Sequence, residues 1–286
     1  MVLEPTEPDL ESLVPKAKAG DRRALELLVR AVQPRVYGLA LRFLWHPEDA
    51  EDATQEILIR VVTNLGGFRG ESRFTTWLYR VTCNALVALR PGRMERMSLS
   101  FDAFGKDLAK GLSDAPLAVQ PGVEEALLLE EVKIGCTLAM LLCLDRDHRL
   151  AYILGDILEL DHHEASEALG TTPAAYRKRL SRAREEITSF MKARCGLAVP
   201  ANACRCRRRV HAAVALRRVD PQHLLFASPV EQARRFPEVL SRIRALEEGR
   251  RAAALYRSHP EPRPARDLGA WVLGVIEGPA SDLPNS

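Results

Sequence analysis

The sequence predicts an all-α protein: two helical domains joined by a linker and followed by a helical C-terminal extension. Three observations carry this. Aromatic residues make up only 6% of the 286-residue chain while Ala, Leu, Arg and Glu dominate, a mix that favours helices over sheets. Apolar residues recur at helical spacing in two long blocks, before residue 90 and after residue 123. The breaks (His46-Pro47, the glycines of "LGGFRGES", Pro91-Gly92 and Gly170) fall where helices stop. The hydrophobic share of 47% and charged share of 28% are ordinary for folded protein, and the length suggests about two domains.

The elements follow in order. Asp21 is placed to cap a helix over residues 22–31, and Pro34 to open a second through Phe43. A helix over about 47–65 shows Ala50, Thr54, Ile57, Leu58, Val61 and Leu65 on one side, with Glu48, Asp52, Gln55 and Glu56 opposite. Ser72 is expected to cap a helix reaching Arg90. Residues 91–122, with Pro91, Pro116 and Pro121, read as a linker holding at most short helical pieces. In the second block helices are expected over 124–144, 147–158 and 162–169. Thr172 then caps a further helix with Pro173 in its first turn and Tyr176, Leu180, Ala183 and Ile187 facing the core. The extension, 195–286, opens Cys- and Arg-rich. It continues as one amphipathic helix around 231–257 (Phe236, Val239, Leu240, Ile243, Leu246) and ends on an apolar segment with Leu268, Trp271, Val272, Val275 and Ile276. Those faces need a partner surface, and the two helical domains are at high effective concentration.

Charge is uneven. The formal net charge is +3, yet residues 176–218 are crowded with arginine and lysine and opposed only by Glu185 and Glu186. Such a local excess points to a polyanion, most simply nucleic acid; its plain alternative is a solvated helix face. A short helix, a Gly-containing turn and a basic second helix form the helix-turn-helix pattern. Thr171, Thr172, Ala174, Arg177, Lys178, Arg179, Ser181, Arg182 and Arg184 are the candidate DNA contacts, since the arginine fork matches both guanine and phosphate oxygens.

Two stretches carry a family resemblance. "HPEDAEDATQEILIRVV" with "FRGESRFTTWLYRVTCNAL" resembles region 2 of bacterial RNA polymerase sigma factors, and "LGTTPAAYRKRLSRAREEI" resembles their region 4. Their order, with only a linker between, looks like the extracytoplasmic-function (ECF) type of the sigma-70 family. The resemblance divides the chain into region 2 (1–90), linker (91–122), region 4 (123–194) and extension (195–286). It implies a subunit that binds core RNA polymerase and promoter DNA, initiates transcription, performs no catalysis, and is often restrained by an anti-sigma protein. Asp49, Asp52, Gln55 and Glu56 correspond to the polymerase-docking surface. Phe68, Arg69, Arg73, Thr76, Tyr79, Arg80 and Asn84 correspond to the part that melts and holds −10 DNA, and residues 171–184 to the reader of −35 DNA. Glycines in 66–72 would let backbone approach a nucleotide, and flipping bases out costs a few kcal/mol that contacts to them must offset. Trp77 falls on the apolar stripe and is expected to pack in the core. Ala88 stands where the family commonly carries Asp.

Among the six cysteines, Cys83, Cys136 and Cys143 read as small core residues. Cys195, Cys204 and Cys206 with His211 could present three thiolates and an imidazole to zinc. Neighbouring arginines could instead lower thiol pKa values for redox sensing, or the stretch is a structural turn. No other cofactor is expected. "LGGFRG" lacks the Gly-Lys-Ser/Thr of a phosphate loop, and no nucleophile–base arrangement stands out. With neither an apolar span nor an apolar leader, no membrane insertion and cytoplasmic residence are expected. The rival readings are a stand-alone helix-turn-helix regulator and a metal- or thiol-responsive regulator.

Overall fold

A computed structural model describes residues 9–117, 124–226 and 229–277. Among the described residues the regular secondary structure is helical, apart from one isolated parallel bridge between Cys195 and Cys204. The first four helices are α1 (Leu10–Lys18), α2 (Arg22–Leu44), α3 (Pro47–Asn64) and α4 (Phe74–Ala88). A linker helix, α5 (Phe101–Lys110), follows. The second block contains α6 (Glu125–Leu142), α7 (Arg146–Tyr152), α8 (His162–Ala168) and α9 (Pro173–Arg194). The extension forms α10 (Cys206–Ala215), α11 (Val230–Ala245), α12 (Glu248–Arg257) and α13 (Leu268–Glu277).

Helix α2 is one helix where two are expected from sequence. Asp21 caps it, accepting from the Ala24 amide at 3.0 Å, but Pro34 sits inside it. Proline removes one intrahelical bond and crowds the preceding turn, at about 3 kcal/mol. Val32, Val36, Leu39, Ala40 and Phe43, all at most 1% exposed, lie on both sides of Pro34, and their shared burial outweighs that cost. Trp45 then turns the chain with φ of 73°, and its indole N–H reaches the Gly135 carbonyl on α6 at 3.0 Å.

Ser72 does not cap α4. The N-cap is Arg73, and the free Phe74 amide is taken by the Glu11 carboxylate of α1 at 2.8 Å. An acceptor 63 residues away does what a local hydroxyl was expected to do. The linker is more ordered than expected: Ser100 caps α5, and Phe104 and Leu108 are buried. Phe101 and Phe104 pack on Phe190 of α9, with ring centroids 5.1 and 5.6 Å apart. The spacing Phe101, Phe104, Leu108 was a helical stripe too short to stand out among prolines and glycines. The helix expected over 147–158 is α7 followed by a π-helical turn, Ile153–Ile157.

The expected single helix around 231–257 is two. It breaks at Leu246-Glu247, leaving Leu246 exposed, because α12 turns to bury Ala252, Leu255 and Tyr256. In the last helix Leu268, Val272 and Leu273 are buried, whereas Trp271 and Val275 are exposed; the Ile276 side chain lies outside the described residues.

One hydrophobic core runs from Leu10 of α1 to Leu273 of α13, so both helical blocks and the extension share it. Helix α4 packs on α8, α2 on α6, α12 on α9, and α13 on α2 and α3. At the centre lies Arg149, 3% exposed. It donates to the carbonyls of Phe43 (2.8 Å), Leu141 (3.0 Å) and Leu144 (3.0 Å) and to Glu95 Oε1 (2.8 Å), tying α2, the linker and the second block together.

Candidate nucleic-acid and polymerase interfaces

Helices α8 and α9 make the helix-turn-helix. Asp161 opens α8 by accepting from the His163 and Glu164 amides, and Gly170 takes φ of 58° in the turn, a conformation open to glycine. Thr172 Oγ1 then accepts from Ala175 at 3.2 Å to start α9 behind Pro173. Tyr176, Leu180, Ala183, Ile187 and Met191 are buried, which fixes which side of α9 faces outward. Thr172, Ala174, Arg177, Lys178, Ser181 and Arg182 are exposed, and Thr171 is half-buried.

The cations of α9 are not equivalent. Among the described residues Arg177, Lys178 and Arg182 have no ion-pair partner, so their charge is directed to solvent. Arg179 pairs with Asp147 at 3.0 Å. Arg184 is held by both oxygens of the largely buried Asp156 (2.5–2.9 Å); these hydrogen bonds raise its pKa further. Its fork is occupied in anchoring α9 to the turn after α7, although half of the side chain stays exposed.

The second candidate surface spans the loop after α3 and helix α4. Arg69, Arg73, Arg80 and Asn84 are exposed and Tyr79 is half-buried. Two of the expected contacts are covered in this arrangement. Thr76 is 3% exposed, inside the packing of α4. Phe68, 7% exposed, packs edge-on against Phe74 (5.5 Å) and beside Trp77 (5.6 Å), and its carbonyl accepts from Lys18. An aromatic in a glycine loop looks available for stacking on a base; here three aromatic rings bury one another instead. Arg73 reaches Glu164 of α8 at 3.1 Å, so this surface abuts the helix-turn-helix.

The acidic face of α3 is split. Asp52 and Glu56 are exposed, Glu56 pairing with Arg60 along the helix; Gln55 is half-buried. Asp49 is committed to the linker, accepting from the Arg93 amide at 3.2 Å and pairing with its guanidinium at 3.3 Å. Glu51, which sequence reasoning passed over, is taken by the extension: its Oε1 accepts from the Ala265 amide at 2.7 Å. Arg146 and Arg149 were missed as well; two arginines three apart, the second leading into the apolar run Leu150, Ala151 and Tyr152, were the available signal. Burial alone would raise the Glu95 carboxyl, but hydrogen bonds from Arg146 and the charge and bonds of Arg149 hold it below the usual range.

The Cys195, Cys204 and Cys206 side chains are half-buried. His211 points to the Ala115 carbonyl at 3.3 Å, and among the described residues no group of three His, Cys, Asp or Glu side chains is placed to hold a metal ion. The arginines fail to activate the thiols because burial outweighs them. Cys204 is pushed up to about 11, Cys206 higher, and Cys195 is raised although its sulfur accepts from the Leu197 and Ala198 amides.

A helix-turn-helix whose outward cations lack ion-pair partners among the described residues is thus packed beside a helical block with an acidic face, an arrangement suited to a nucleic acid. Residues 28–90 match the family model of sigma-70 region 2, and residues 134–187 that of sigma-70 region 4. The chain is 31% identical to the RNA polymerase sigma-H factor of Pseudomonas aeruginosa, over 64% of this chain and 93% of that protein. It is also 31% identical to the ECF RNA polymerase sigma-E factor of Escherichia coli K12, over 61% of this chain and 90% of that one. Among solved structures it is similar to CnrH in complex with the cytosolic domain of CnrY, at 22% identity and a TM-score of 0.45, over 63% of this chain and 96% of that one. The chain belongs to the sigma-70 family of RNA polymerase sigma factors, in its ECF type. It directs RNA polymerase to promoters as a DNA-recognition subunit. No described helix is long and apolar enough to cross a membrane.

Proposed function

We propose that this sigma factor reads −35 DNA through α9 and holds melted −10 DNA through the loop before α4 and that helix's exposed side. Arg177, Lys178 and Arg182 are the principal −35 contacts, with Thr171, Thr172, Ala174 and Ser181 lining the approach and Arg179 at its edge. Arg69, Arg73, Arg80, Asn84 and the half-buried Tyr79 serve the −10 element. Asp52 and Glu56, with Gln55 beside them, dock on core polymerase. Region 2 is taken as residues 1–90, region 4 as 123–194, the linker as 91–122 and the extension as 195–286. The chain supplies recognition and performs no catalysis, since polymerase carries the nucleotidyl chemistry. Cytoplasmic residence and a separate anti-sigma partner belong to the same reading.

The supporting observation is the asymmetry of α9: one face wholly buried, the other presenting cations that lack partners among the described residues. Such groups gain most from phosphate and base edges because no internal pair must first be broken. The test is run-off transcription with core polymerase on a mapped promoter. Arg177→Ala with Lys178→Ala is expected to abolish promoter-specific initiation while preserving helicity and core binding. Unchanged initiation refutes the assignment of α9.

A further inference from the structure

The extension packs on both helical blocks, and its last described helix, α13, lies on α2 and α3. From α12, the Tyr256 hydroxyl donates to the Thr137 carbonyl of α6 at 2.8 Å, and Arg257 donates to the Asp156 carbonyl at 2.9 Å. The chain then crosses α2, with Pro262 close over Gly38. It reaches Glu51 through the Ala265 amide and continues as α13.

Helix α13 is seated by both apolar and polar contacts. Leu268 and Val272 are fully buried against α2 and α3, and Leu273 is nearly so. Gln33 of α2 accepts from the Gly269 amide at 2.8 Å and donates to the Arg266 carbonyl at 3.3 Å. Arg30 pairs with Asp267 at 2.6 Å. A side chain at 269 would put its Cβ 3.0 Å from Gln33 Oε1 and 3.4 Å from Val29 Cγ1, so this glycine permits the close approach. Glu51, which receives the strap, precedes Asp52 and lies one helical turn before Gln55. The covered strip therefore borders the face assigned above to polymerase.

The closed arrangement is also incompatible with reading both promoter elements. Centres at −35 and −10 are roughly 25 base pairs apart, about 85 Å of B-form duplex. A compact chain of this length has a radius of gyration of about 19 Å. Here Arg73 of the −10 surface touches Glu164 of the helix-turn-helix, so the two readers must separate to work.

We propose that α13 is an intramolecular plug, occupying the α2–α3 surface beside Asp52 and Glu56 and keeping the chain closed until polymerase displaces it. This rests on the assignment of α3 as the docking face. Because α13 is tethered, it competes at high local concentration without needing intrinsic affinity as large as that of polymerase. Binding of polymerase is then weakened by the fraction of chains that are open.

The experiment compares core polymerase affinity of the full chain, of Leu268→Asp/Val272→Asp, and of the gentler surface variant Asp267→Arg, which sets like charge against Arg30. Hydrogen exchange on each confirms that α13 is released and α2–α4 stay folded. Release is expected to tighten core binding by about tenfold or more. Conversely, Arg30→Cys with Asp267→Cys joined by a bismaleimide is expected to weaken it by a similar factor, while a monofunctional maleimide has no such effect. Unchanged or weaker binding by a folded, released variant overturns the plug. If core still protects α3 amides in that variant, the docking face stands and only the plug fails. If core binds without protecting α3, the docking assignment fails and the plug falls with it.

Discussion

Replacing Arg149 by methionine tests how the closed arrangement is held. The side chain is almost fully buried and donates to the main-chain carbonyls of Phe43, Leu141 and Leu144, to that of Leu142 at a longer 3.5 Å, and to Glu95, with its guanidinium 4.9 Å from the Phe43 ring centroid. Methionine fills much of the same volume but donates nothing. Glu95 keeps Arg146, which pairs with it at 2.7 Å, so the carboxylate is not stranded. The carbonyls of Phe43, Leu141 and Leu144 lose this donor. At about 1 kcal/mol each, the expected loss is roughly 3 kcal/mol, the low end of what breaking a buried ion pair costs. With a urea m-value of about 3 kcal/mol/M, the midpoint falls by about 1 M. Equilibrium urea melts followed by circular dichroism read this directly. A midpoint within about 0.2 M of the parent, with unchanged slope, refutes the reasoning. In the same melts, a double-mutant cycle with Glu95→Gln is expected to show a coupling of about 1–2 kcal/mol.

Arg184→Ala is expected to cost about 1 kcal/mol, discounted because half the side chain is exposed, and to leave the salt slope of promoter binding unchanged. Arg177→Ala is expected to lower that slope by about one; a salt titration separates the two roles. Glu11→Ala removes the acceptor that caps α4 from α1 and is expected to destabilise by about 1 kcal/mol, with hydrogen exchange rising first at the Phe74 end of α4; uniform exchange across α4 counts against it. His259, half-buried beside Tyr256 and bonded to Thr137, is kept neutral because desolvation, aided by Lys133 and Arg42, lowers its pKa well below the ordinary value near 6.5. The unfolded chain takes up the proton first, so this contribution is full above about pH 6.5 and is lost as pH falls toward the folded pKa. The Tm difference between the parent and His259→Asn is therefore expected to shrink between about pH 7 and pH 5, and a constant difference counts against the assignment.

The recognition helix was legible in the sequence because its information is local. Thr172 and Pro173 mark its start, Tyr176, Leu180, Ala183 and Ile187 set its buried side by period alone, and the cations follow from that. The acidic side of α3 was legible for the same reason. What the sequence could not determine was which of these side chains already had a partner. Arg177 and Arg184 look alike on a helical wheel, yet only Arg184 meets Asp156, 28 residues earlier. Thr76 and Phe68 look polar-faced and loop-borne, yet neighbouring elements bury both. Pro34 marks a helix start in local terms, but burial on both sides keeps α2 continuous. The cysteine stretch looked activated by its arginines, yet desolvation, which local sequence does not show, raises the thiols instead. Above all, amphipathicity shows that a helix such as α13 must bury a face but carries no address for it. The tertiary structure places that face on α2 and α3, because hydrophobic burial is non-directional and long-range hydrogen bonds accepted by Gln33 and Glu51 from the Gly269 and Ala265 amides select the seat.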